Sequence, residues 1–265
     1  MKKNNLHTPW THGFTLVEMA MVLAIVSLLM AGLLPTISSQ IEQQRINESR
    51  KQLEDIRQTL IGFAVINGRL PCPAEASLDS GNANAGKEAI SAGNACACQS
   101  SGSTTAVYGS ATQCSQTSVS GVLPWATLGL SETDSWNRRF TYRVSSHFAD
   151  KIAANTYGTG CSPGTNLLTS SFAICSPGTP DIYDASGTLV YEDVPLVVVS
   201  HGSNGLGGYT TTGSKISDST GDELENSDDD LSFVSHEFSS NFDDLLTWVS
   251  PNSLINRMVA AGKLP

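Results

Sequence analysis

Gly13-Phe14-Thr15-Leu16-Val17-Glu18-Met19 opens an apolar run that reaches Leu34 with one carboxylate inside it. From Phe14 to Leu34 is 21 residues, Glu18 is their only charge, and the next is Glu42. As a helix rising about 1.5 Å per residue the run covers roughly 31 Å, matching a hydrocarbon core of about 30 Å. A carboxylate in such a segment is costly to keep and so marks function.

The flanks define the segment further. Residues 1–13 carry Lys2 and Lys3 and no acid, a bias that keeps the N-terminus cytoplasmic. A secretory signal places its apolar core before a small-residue cleavage site. Here the small residue, Gly13, comes first, so scission there leaves the hydrophobic helix on the mature chain. This order, G-F-T-L-V-E behind a basic polar leader, resembles the class III signal of type IV prepilins and type II secretion pseudopilins. The resemblance implies that a membrane-embedded aspartyl prepilin peptidase removes the leader 1–13 after Gly13 and methylates Phe14. Glu18 then becomes fifth in the mature chain, and Pro35 occupies the expected proline position twenty-two residues in. It also implies partners: other pilin or pseudopilin subunits, the peptidase, and an inner-membrane assembly platform. A plain single-pass anchor would account for the apolar run and the lysines, but not for Gly13 or Glu18.

Two roles for Glu18 stay open. It lies four residues after Phe14, so it could pair with that residue's own freed amine on one helix face. The family reading has it neutralise the amine of a neighbouring subunit. In both, a buried carboxylate meets a cation; only the second makes Glu18 an assembly determinant.

Beyond the membrane segment 14–35, helical periodicity continues over 36–70. Ile37, Ile41, Ile46, Leu53, Ile56, Leu60 and Phe63 recur at helical steps, with Glu42, Arg45, Glu48, Arg50, Lys51, Glu54 and Arg57 between them. This is an amphipathic helix. Asn67-Gly68 and then Pro71 stop it, and Pro35 predicts a kink.

Residues 71–265 are enough for one globular domain. Formal net charge is −10, and losing Lys2 and Lys3 leaves 13 basic residues against 25 acidic ones. Such acidity argues against nucleic acid and anionic lipid surfaces as partners. Topology places this domain in the periplasm, where six cysteines (Cys72, Cys96, Cys98, Cys114, Cys161, Cys175) read as disulfides. Their order permits 15 pairings. Cys161 with Cys175 is the preferred pair, because each opens the pentapeptide Cys-Ser-Pro-Gly-Thr; the others would staple the region between them. Zinc competes poorly: Cys96-Ala97-Cys98 lacks the usual gap and no paired histidines follow.

Residues 74–121, rich in Ala, Ser, Gly, Asn and Thr, predict a surface loop region. Val122-Leu123-Pro124-Trp125 and Leu128-Gly129-Leu130 supply core. Strands are expected at Phe140–Val144, Ser171–Cys175, Thr188–Tyr191 and Leu196–Ser200, the last apolar throughout and central. Ser250-Pro251 opens a short terminal helix. The expected fold class is α+β: a long kinked N-terminal helix packed on an antiparallel β-sheet, the pilin-like fold that the resemblance implies.

Two C-terminal stretches carry a second resemblance. Asp134-Ser135-Trp136-Asn137 is similar to the D-P-W-G turn of major pseudopilins, with Ser135 and Asn137 for proline and glycine. The run from Ser200 to Gly208 is similar to their S-x-G-x-D-G-x-x-G-G loop, one residue shorter and with Asn for Asp. In that subfamily the following acidic loop binds calcium. The acids here are Asp218, Asp222, Glu223, Glu225, Asp228, Asp229 and Asp230. Asp222, Glu225, Asp228 and Asp230 are the candidate Ca²⁺ ligands; oxygen donors suit that ion, and a solvated acidic loop is the plainer alternative.

Enzyme motifs fail on chemistry. In Gly160-Cys161-Ser162-Pro163-Gly164, Pro163 has no N–H to donate to an oxyanion. Gly202–Gly208 is followed by Tyr-Thr-Thr-Thr rather than a helix. His147, His201 and His236 read as surface or turn residues. The expected function is therefore structural and non-enzymatic: a single-pass inner-membrane subunit of a fibre. A type II secretion pseudopilin is favoured, with a type IV minor pilin or a membrane-anchored display protein as alternatives. Glu18 argues against the tip subunit, which typically lacks this glutamate.

Overall fold

The computed structural model describes residues 13–90, 96, 118–150, 157–158, 160–161, 169–217 and 219–264, excluding the side chains of 31–38. The chain divides into two compact units, Met1–Arg45 and Ile46–Pro265.

Helix α1 spans Leu16–Asn67 and belongs to both units. It continues as helix through Pro35. Gly68 ends it: at φ 72° it takes the left-handed conformation and its N–H reaches the Ala64 carbonyl at 2.8 Å. From Ile46 onward one face is buried, through Ile46, Leu53, Ile56, Leu60 and Ala64. Ile41, read as part of the same stripe, is exposed.

That face packs on a four-stranded antiparallel sheet of order β1-β2-β5-β7, made of β1 Ser118–Val122, β2 Thr141–Ser145, β5 Leu196–Ser200 and β7 Leu245–Val249. β5 lies inside it, paired with β2 and β7. Side chains alternate across a strand, so a wholly apolar strand must be covered on both faces. Leu196 and Val198 join the core under α1, while Val197 and Val199 face a second layer with Ile182 and Phe233. The second layer is a three-stranded sheet of β3 Asp181–Tyr183, β4 Leu189–Tyr191 and β6 Ser232–Val234. β3 pairs antiparallel with β4 but parallel with β6, so a mixed sheet stands beside the expected antiparallel one. Short helices α2 Trp125–Leu128, α3 Ser146–Ala149 and α4 Asp222–Glu225 fill connections. α5 Pro251–Ala260 begins where expected: the Ser250 side chain accepts from Ser253 N–H, Pro251 stands in the first turn, and Leu254 and Met258 are buried.

Two expectations are corrected. Ser171–Cys175 is not a strand but bends and turns. Its backbone groups bond elsewhere, Ser171 N–H to the Gly68 carbonyl and Ala173 N–H to Ser176 Oγ, while Phe172 packs 4.6 Å from the Phe148 ring. The 74–121 segment is not all surface: Ser118–Gly121 lies in β1, and Ala74, Ala76 and Ala85 form a small core with Val122 and Trp125. Alanines suffice because Trp125 fills the volume. Gly86, at φ 68°, lies where a Cβ would come within 2.3 Å of that indole. Arg139, fully buried, pairs with Glu132 at 2.8 Å and lies 4.7 Å from the Trp125 ring centre.

Among the described residues two disulfides form: Cys72–Cys96, which closes this region, and Cys161–Cys175 further along the chain. Cys98 and Cys114 lie outside the described residues. Cys161–Cys175 closes a 14-residue separation and Cys72–Cys96 one of 24. Replacing either pair by serine is expected to lower stability by about 3 kcal/mol, read as the fall in unfolding free energy from urea curves each fitted with its own slope. Leu60, fully buried on α1, should lose about 2–5 kcal/mol on truncation to Ala in the same assay.

Candidate functional site

Gly13 and Phe14 precede the first helical residue, Leu16, and both are exposed. Among the described residues, its chain neighbours aside, nothing lies within 4 Å of where a Cβ on Gly13 would be. The Gly13–Phe14 peptide is thus an open, non-helical bond, the form a protease can engage.

Behind it Thr15 caps α1. Thr15 N–H and Oγ1 both donate to Glu18 Oε2 at 2.9 Å, and Glu18 N–H donates back to Thr15 Oγ1 at 3.2 Å. This reciprocal arrangement is a capping box, legible as Thr-x-x-Glu, and Thr15 is a site residue the sequence reading passed over. Before any amine is freed at Phe14, Glu18 therefore has a local partner.

From Leu16 to Met30 the large apolar side chains are exposed on all faces of the helix, Leu16 at 88% and Leu28 at 78%. The hydroxyl of Ser27 is satisfied locally by the Leu23 carbonyl at 2.7 Å. Among the described residues no helix is long and apolar enough to cross a membrane. Pro35 lies on α1, and its side chain is outside the described set.

The C-terminal candidates separate. Carboxylate oxygens of Glu225, Asp228 and Asp230 gather within 4.8 Å of one another. Partial burial raises the pKa of Glu225 and of Asp230, and the neighbouring acids add to it. Asp222 stands apart from this trio, because His236 Nε2 holds its carboxylate at 3.1 Å. Asp229 faces Arg143 at 3.4 Å, and Asp218 lies outside the described residues. The oxygen-only donors of the trio suit a hard cation.

The two loop resemblances meet in space. Asp134 Oδ1 accepts from the N–H groups of Trp136 and Arg138, both at 2.9 Å, and its Oδ2 from Ser200 Oγ at 2.6 Å. Asn137 adopts φ 61°, a left-handed position that glycine takes most easily.

His201 is neither surface nor turn-exposed; it is fully buried. Its Nε2 lies 2.7 Å from Thr141 Oγ1, and burial, helped by the Lys215 charge, pushes its pKa down to about 4. Gly208 makes room for the ring, since a Cβ there would approach it to 2.9 Å. His147 and His236 are half-buried, and His236 stacks on Phe242 with centroids 3.8 Å apart. Of the hydrolase-like pentapeptide, Cys161 is disulfide-bonded, and Ser162, Pro163 and Gly164 lie outside the described residues.

The family model described as the prokaryotic N-terminal methylation motif matches residues 11–34. The N-terminus is a class III prepilin signal. The prepilin signal implies a pilin-type precursor that prepilin peptidase cleaves, a membrane-anchored N-terminus before assembly, and assembly with other pilin subunits. It ends just before Pro35 and includes Gly13, Phe14, Thr15 and Glu18. No curated protein and no solved structure matches the chain.

Proposed function

We propose that the chain is a non-enzymatic structural subunit of a type II secretion pseudopilus. On this reading it is cleaved after Gly13, methylated on Phe14, and held as a single-pass protein in the bacterial inner membrane until it joins the fibre. The globular domain, a pilin-like fold, lies in the periplasm, and the inner-membrane assembly platform drives insertion. One observation carries this reading: directly behind an open Gly-Phe bond stands a helical stretch, Leu16 to Met30, with apolar side chains exposed on every face and one acid, Glu18. Such a surface needs lipid first and sister helices afterwards.

The pseudopilin form is supported by the Asp134 turn bonded to Ser200, since both stretches resemble those of major subunits. A type IV minor pilin is the second reading, favoured by the chain's length and its six cysteines. Deleting the gene separates them: loss of exoprotein release with pili intact supports the pseudopilus, and loss of pili with release intact supports the pilus. Calcium on Glu225, Asp228 and Asp230 belongs to the pseudopilin form. A chelated protein whose melting temperature stays unchanged when calcium returns would contradict it.

A further inference from the structure

We infer that the free edge of β4 is a docking strand for an extended segment of a partner protein, one that carries lysine or arginine among apolar residues. The inference does not depend on the pilin reading. β4 is the end strand of the second sheet and pairs with β3 alone. Unpaired strand backbone is a template for a further strand. Leu189, Val190 and Tyr191 are all exposed, at 44%, 47% and 45%. A regular strand over a core buries alternate residues; here the β3–β4 register shifts between Ile182 and Tyr183, and all three stay out. Lysine or proline commonly guards such an edge, and Leu189–Tyr191 carries neither.

The hairpin that presents this edge is held at both ends. In its turn, Asp184 Oδ1 accepts from the N–H groups of Ser186 and Thr188 at 2.8 and 2.9 Å, and from Ser186 Oγ at 2.6 Å. At its base, Asp193 N–H donates to Asp181 Oδ1 at 3.0 Å and Val194 N–H to the Pro180 carbonyl at 2.9 Å. A strand already fixed loses little freedom when it binds.

Charge and aromatic faces define the partner. Residues 152–214 contain no lysine or arginine, and their four acids, Asp181, Asp184, Glu192 and Asp193, all lie in or beside this hairpin. Among the described residues none of the four forms an ion pair. Hydrogen bonds from the Ser186 hydroxyl first, and then from the two turn N–H groups, lower the Asp184 pKa and keep it charged. Tyr191 packs on Trp248 of β7, with ring centres 5.4 Å apart. Aromatic rings beside uncompensated carboxylates suit a guanidinium or ammonium group. A second copy of β4 would bring the same four acids and no cation, so like charges disfavour it as the occupant.

The test uses the full chain purified in detergent and a fluorescent synthetic peptide, Lys-Val-Arg-Val-Lys-Val, followed by anisotropy at low salt. Two control peptides carry glutamate for each basic residue, or a methyl on every backbone nitrogen. Wild type should bind the basic peptide saturably, with slowed amide exchange at residues 189–191. Both control peptides should bind at least about tenfold more weakly. Glu192→Lys, at an exposed position, should lose at least about tenfold in affinity while melting near wild type. Glu48→Lys makes the same charge change on exposed α1 surface and should bind as wild type does. Equal affinity of Glu192→Lys or of the N-methylated peptide overturns docking at β4, as does an equal loss in Glu48→Lys. Absence of saturable binding at millimolar peptide overturns it too. Sedimentation that shows wild-type chains pairing, with the pairing lost in Tyr191→Ala, makes the occupant a second copy and also overturns it.

Discussion

Gly13→Ala should leave the chain accumulating at full length in the membrane, with cleavage slowed at least tenfold, a loss of about 1.4 kcal/mol in transition-state fit. On the proposed reading the scissile bond is Gly13–Phe14, two residues that stand ahead of the first helical residue. A residue without a Cβ lets a protease approach the backbone closely. The substitution is clean, because among the described residues nothing beyond its chain neighbours lies within 4 Å of the added methyl. A block therefore reports on recognition by the peptidase and not on the precursor's own fold. Immunoblotting of membrane fractions measures it: one band at precursor size is the expected result, and the mature band at wild-type rate would contradict it.

Glu18→Ala should be processed normally yet lose fibres by at least about tenfold, counted by electron microscopy or sheared-fraction blots. Two roles must be separated, because Glu18 both closes the capping box with Thr15 and carries the only charge in the apolar run from Phe14 to Leu34. Alanine removes both. Glu18→Gln keeps an oxygen that can accept from Thr15 but removes the charge. If Glu18 neutralises a neighbour's terminal amine, glutamine fails as alanine does. Fibres at wild-type number from Glu18→Gln would assign the residue to capping and remove it from subunit recognition.

What the sequence made legible followed from local rules. The apolar run with one acid, Gly68 as helix stop and the Ser250-Pro251 start all act within a few residues of where they stand. Leu196–Ser200 could be read as buried on both faces, but not what covers the second face. That layer is built from three-residue strands, and its β3–β6 pairing joins Ile182 with Phe233, far apart in sequence. Ser118–Val122 is too poor in large apolar residues to announce a strand; it becomes one by pairing with β2. The acidic ligands divided for a similar reason. Spacing alone could not show that His236 takes Asp222 away from Glu225, Asp228 and Asp230. His201 was misplaced because its burial depends on Thr141 and Gly208, which local polarity does not reveal. Thr15 was legible and overlooked.

The most direct measurement is the N-terminus of the mature protein, by intact-mass and fragment-ion spectrometry of material purified from membranes. The account predicts a chain that begins at N-methylated Phe14 and lacks residues 1–13. An N-terminus at Met1, or at any residue other than Phe14, would contradict it.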